Sequence, residues 1–103
     1  MTDLILNHLK GLEIDTNGDS VTRHQVSFDL PDNCHFHTEV VVVSHSGRKY
    51  SAMYDGHVHT EYVPDRTVFF EYTLLLDEND KELLTDSEKI KLENQIENLI
   101  VIR

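Results

Sequence analysis

Read at a period of two, residues 35–76 separate into segments with one apolar side and one mostly polar side, a pattern of strands with one buried face. Phe36, Thr38, Val40 and Val42 fall on one side, with His35, His37, Glu39, Val41 and Val43 on the other. Tyr50, Ala52 and Tyr54 alternate with Lys49, Ser51 and Met53, and Val58, Thr60 and Tyr62 alternate with His57, His59 and Glu61. Val68, Phe70, Tyr72, Leu74 and Leu76 form the apolar side of a last segment. An antiparallel sheet packed on a core by one face has this pattern.

Turn signals divide the stretch into four consecutive strands. SHSG (44–47) and YDG (54–56) end in glycine, and VPD (63–65) holds a proline. Lengthening or shortening a loop by one residue moves every following side chain to the opposite face. A two-residue loop at Asp55-Gly56 would set His57 and His59 beside Tyr54 and Ala52 on the apolar side. Three-residue loops at both glycine turns keep apolar beside apolar, and are the expectation. They bring the two copies of a short motif, HFHTE (35–39) and HVHTE (57–61), onto one polar face.

The flanks read as helix and turn. Leu4, Ile5, His8, Leu9 and Leu12 recur at helical spacing behind Thr2 or Asp3 as cap, with Gly11 just past the end. Asn17-Gly18 marks a tight turn between an extended piece around Leu12 and Ile14 and a strand over 22–30, with Val26, Phe28 and Leu30 inward. LPDN (30–33) closes that strand, and DENDKE (77–82) is a charged loop. TDSE (85–88) is a capping box opening a helix to about Asn98, with Leu92, Ile96 and Leu99 as its stripe and Ile90 on its far side. Residues 99–103 suit a helix end or a short strand equally.

These elements imply a single α+β domain over 1–103: an antiparallel meander of about five strands, with an N-terminal and a C-terminal helix on one face. A chain of 103 residues can bury roughly two thirds of its unfolded surface, enough for a core without staples. One cysteine, Cys34, forms no internal disulfide, which with the absence of a signal-like or long apolar stretch points to a cytoplasmic protein that does not cross membranes. Nine Lys and Arg against nineteen Asp and Glu give a formal charge of −10. Direct nucleic-acid binding is disfavoured, because phosphate would be repelled. A basic protein surface would be attracted.

Function enters through the polar face. Histidine and glutamate at alternate strand positions suit zinc or another divalent transition metal, so His35, His37 and Glu39, or His57, His59 and Glu61, are the candidate ligands. The plainer interpretation is surface strand residues, with Thr38 and Thr60 there for strand propensity. No phosphate loop, nucleophile elbow or redox cysteine pair is present, so catalysis and an obligatory cofactor are not expected. The expected function is a small acidic interaction module, of inhibitor, immunity or phage-regulator type, that binds a basic or amphipathic protein surface. Met53, Phe69, Glu88, Glu93 and Glu97 are its candidate contact residues. A metal-binding protein or small metalloenzyme using one HxHTE copy, and a nucleic-acid mimic, are the alternatives. Homodimerisation through an exposed edge strand also fits such a sheet.

Overall fold

In chain order the elements are helix α1 (Thr2–Leu9), strand β1 (Glu13–Ile14), strand β2 (Val21–Leu30), strand β3 (Cys34–Tyr54), strand β4 (His57–Leu76), helix α2 (Asp86–Glu97) and strand β5 (Val101–Ile102). This computed structural model describes residues 1–45, 51, 53, 55–58 and 66–103, and gives strand membership alone for the rest. The chain is mixed α+β, with two helices and an antiparallel three-stranded sheet in the order β2-β3-β4. The meander of about five strands is replaced by this sheet and a separate parallel pair, β1 with β5. The C-terminal segment is therefore a strand. It is held by Val101 N–H donating to the Leu12 carbonyl and Arg103 N–H to the Ile14 carbonyl, each at 2.8 Å.

The expected division of residues 35–76 into four strands gives way to one long hairpin, with β3 of 21 residues and β4 of 20. Of the expected turn positions, 46–47 and 63–65 lie outside the described residues. The one reversal is Asp55-Gly56, with φ of 50° and 78°, and Met53 pairs with Val58 beside it. This corrects the expected three-residue loop. A two-residue turn with both φ values positive has the twist of the strands it joins, and a glycine at its second position carries that φ without strain. Pairing of β2 with β3 stops at Val21 and Val43, so beyond that point the hairpin is two strands wide. The molecule measures 64 × 25 × 22 Å, with a radius of gyration of 17.9 Å. A compact domain of this size has about 13 Å. The hairpin is thus an arm projecting from a smaller body.

In the body, alternation sorts the faces as the sequence implies, up to one point. Phe36, Thr38, Val40 and Val42 are wholly buried on the inner face, beside Val26, Phe28 and Leu30 from β2. On β4, Glu39 pairs with Tyr72 while Val40 pairs with Phe70, so Glu71 is an extra residue, a β-bulge. The bulge overturns the expected face of Tyr72, Leu74 and Leu76. Val68, Phe70, Thr73 and Leu75 are the inward residues, and Tyr72, Leu74 and Leu76 stand opposite Glu39, His37 and His35 on the outer face.

Two neighbouring clusters make the core. Ile5 and Leu9 of α1 and Leu92 and Ile96 of α2 close over Leu30, Cys34, Phe36 and Leu75. Ile14 packs on Val40 and Val42, joined by Leu12, Ile100 and Ile102. The helices and the β1-β5 pair therefore share one face of the sheet, and the capping box at Thr85 and Glu88 starts α2 as read. α1 is capped by Met1 without a side-chain bond, not by Thr2 or Asp3. Packing of Ile5 and Leu9, and His8 stacked on Phe28 at 4.2 Å, hold this short helix instead.

Thr38, read only as a strand former, has a structural duty. Its hydroxyl donates to the Tyr72 carbonyl at 2.8 Å, beside the bulge, and lies 3.1 Å from the Thr73 hydroxyl, which donates to Glu93 at 2.7 Å. Replacing Thr38 by valine keeps the shape and takes this donor from the Tyr72 carbonyl. Thr38→Val should destabilise the fold by about 1–3 kcal/mol in urea titrations, whereas a loss near zero would mean that the bond is dispensable.

Candidate functional site

The outer face of the body carries the only hydrogen-bonded row of imidazoles among the described residues. The turn at Pro31–Asn33 joins β2 to β3 with Leu30 opposite Cys34, and counting back from there puts Ser27 opposite His37. Asp32 and Asn33 sustain that turn with φ of 63° and 58°, a region that Asn and Asp tolerate better than most residues. Strand alternation brings His35 and His37 to one side, while Cys34 turns inward and is buried as a free thiol.

Four side chains form a continuous series. Ser27 Oγ is 2.7 Å from His37 Nδ1, His37 Nε2 is 2.8 Å from His35 Nδ1, and His35 Nε2 is 3.2 Å from Asp80 Oδ1. The rings meet edge to face with centroids 5.0 Å apart. With neutral rings the carboxylate fixes the proton order, since an ionised Asp80 only accepts. His35 donates from Nε2 to Asp80, His37 donates from Nε2 to His35 Nδ1, and Ser27 donates to His37 Nδ1.

Asp80 comes from the loop after β4, and Asp77 shapes that loop. Its carboxylate accepts the backbone N–H groups of Asn79 at 2.8 Å and Lys81 at 3.0 Å. The Lys81 N–H foremost, then that of Asn79, holds the Asp77 carboxyl below its ordinary value. Asp80 takes a left-handed φ of 59° in the same loop.

The other predicted ligands do not join the row. Glu39 is nearly buried and accepts from Arg23 at 2.9 Å and Gln25 at 3.2 Å; Arg23 also reaches over the middle strand to Glu71 at 3.8 Å. His57 begins β4 at the arm's turn, roughly 50 Å along the ribbon from His37 at strand rise. His59 and Glu61 lie outside the described residues. Among the described residues no group of three or more His, Cys, Asp or Glu is placed to hold an ion.

The predicted contact residues are scattered too. Met53 is 71 % exposed on the arm and Phe69 40 % exposed on the outer face. Glu88 and Glu93 on α2 are occupied by the capping box and by Thr73, and Glu97 is exposed near the helix end. The Thr85 backbone N–H, then its hydroxyl, lowers the Glu88 carboxyl from its ordinary value.

Sequence reasoning missed Ser27 and Asp80. Ser27 was recoverable from the 31–33 turn, because that turn fixes which β2 residue faces His37. Asp80 carries no such signal, since only the folded loop brings it to His35, 45 positions away.

A serine hydroxyl aimed at an imidazole that a carboxylate orders could serve a nucleophile. Neither concavity described, one of about 250 Å³ lined by Thr2, Leu84, Glu88, Lys91, Leu92 and Gln95 and one beside Leu4, Asn7 and His8, adjoins the row. No helix is long and apolar enough to cross a membrane among the described residues. No family description, curated protein or solved structure matches this chain.

Because the folded value of Asp77 is depressed, its stabilisation of the loop is present above the ordinary carboxylate value of 3.8 and is lost as pH falls through the lowered one. The protection factors of the Asn79 and Lys81 amides, taken against intrinsic exchange at each pH, should fall over that acid range, and in Asp77→Ala at neutral pH. Unchanged protection in the alanine variant would show that the carboxylate does not hold the loop.

Proposed function

We propose that the protein is a small acidic interaction module, non-enzymatic, whose arm docks on a protein with a basic or amphipathic surface, in the manner of an inhibitor or regulator. The arm carries this reading. Beyond Val43, β3 and β4 run to Tyr54 and His57 as a two-stranded ribbon, and isolated two-stranded ribbons are marginally stable in water. Near its turn the cross-strand pair Met53 and Val58 is 71 % and 65 % exposed, apolar surface that a partner would cover.

Charge divides along the same line. Residues 44–66 hold three Lys or Arg and three Asp or Glu, so the formal −10 resides wholly in the body, six basic against sixteen acidic side chains. A near-neutral arm with apolar tips on a strongly acidic body suits a partner presenting an apolar groove with a basic surround. Such a body would speed encounter at low salt.

The test compares wild-type bait with Met53→Thr/Val58→Thr, which keeps strand-forming residues at both positions, in pull-downs from native lysate, each identified by mass spectrometry at two salt concentrations. A partner retained by wild type, lost by the variant and weakened by salt is the expected result. Equal capture by both baits would refute docking through the arm. The substituted positions are exposed, so the melting temperature of the two proteins should agree.

A further inference from the structure

We propose that His35 and His37 form a two-imidazole chelate for a borderline divalent ion of the zinc, nickel and copper class, with Asp80 and Ser27 as positioning residues. The proposal is independent of the arm. His35 Nδ1 and His37 Nε2 face each other at 2.8 Å. Two nitrogens on one tetrahedral ion, each at about 2.0–2.1 Å, stand about 3.3 Å apart, so the rings need to part by about half an ångström and tilt until both nitrogens point at the ion instead of at each other.

The far nitrogens supply a second observation. Ligating histidines characteristically give their other N–H to a carboxylate or another oxygen, which fixes the ring and raises its basicity. Here both far nitrogens meet such an oxygen: His35 Nε2 that of Asp80 at 3.2 Å, His37 Nδ1 that of Ser27 at 2.7 Å. Near nitrogens converge while far nitrogens are braced. On β4, Leu74 and Leu76 stand opposite the pair and bring no donor, while on β2 Asp29 is paired with His35.

Glu39 is not a ligand in this arrangement, being held by Arg23 and Gln25. The protein therefore supplies two donors, and the remaining positions on the ion are left to water or to a donor from a bound molecule. Imidazole donors select against magnesium and calcium, which take oxygen.

Uptake leaves the proton count unchanged and reverses one tautomer. Without the ion, His37 carries hydrogen on Nε2 and gives it to His35. With the ion bound at Nε2, the His37 hydrogen sits on Nδ1 and is donated to Ser27 Oγ, whose own hydrogen turns to water. His35 keeps its Nε2 hydrogen on Asp80 throughout.

The experiment uses the full chain without a histidine tag and zinc alone as the probe, in titration calorimetry with magnesium as the control, together with imidazole ¹⁵N spectra. One zinc per chain is expected, with His35→Gln or His37→Gln weakening it at least tenfold. Asp80→Asn, which keeps a residue tolerant of the left-handed turn, should weaken it about tenfold, while His45→Gln/His57→Gln leaves it unchanged. The ¹⁵N spectrum of the unsubstituted chain should show the His37 hydrogen move from Nε2 to Nδ1, a readout that needs no variant to fold. No saturable uptake, uptake undiminished in His35→Gln/His37→Gln, or an unaltered His37 tautomer would each overturn the chelate.

Discussion

One surplus residue in β4, Glu71, sets the character of both faces of the body. Antiparallel pairing carries side chains in strict alternation until the bulge, where the strand gains a residue and its later side chains exchange faces. Thr73 and Leu75 are thereby turned to the helices, and Tyr72, Leu74 and Leu76 to the outside. The same shift ends β4 with Leu76 beside His35, so the loop that follows delivers Asp80 to that ring. The core, the aliphatic flank of the histidines and the carboxylate that orders them thus depend on one local irregularity.

The irregularity is held from both sides. Inside, Thr38 bonds the Tyr72 carbonyl next to the bulge, and Thr73 hands its hydroxyl hydrogen to Glu93 of α2. Outside, Arg23 spans β3 between Glu39 and Glu71 over Val41, which is fully buried although it lies on the open face. A buried polar group gains from a bond chiefly because leaving it bare is costly, and these bonds fall where the ladder is interrupted. The middle strand can therefore keep polar residues on its outer face without exposing the backbone beneath them.

Local chemistry made much of this legible beforehand. The capping box, the Asn17-Gly18 turn, the turn at 31–33, and the inward set of β2 and β3 each depend on residues close in sequence, and each stands in the structure. The bulge was not legible, because Leu74, Leu75 and Leu76 are consecutive and either register turns leucine toward the core. Glycine and proline at 44–47 and 63–65 read as punctuation, while among the described residues the reversal between β3 and β4 is the two-residue turn at Asp55-Gly56. The histidine row was half visible: alternation paired His35 with His37, but its outer members come from another strand and a distant loop. β5 could be settled only by its partner, since its pairing with β1 joins residues almost ninety positions apart.

The measurement that bears most directly on this account is the set of cross-strand contacts between β3 and β4 in an NMR spectrum of the isotopically labelled chain. Proton contacts should link Glu39 with Tyr72 and Val40 with Phe70, skipping Glu71, with Leu75 close to Phe36 and Leu76 close to His35. A continuous ladder in which Glu39 faces Glu71 and Leu74 lies against the helices would contradict it.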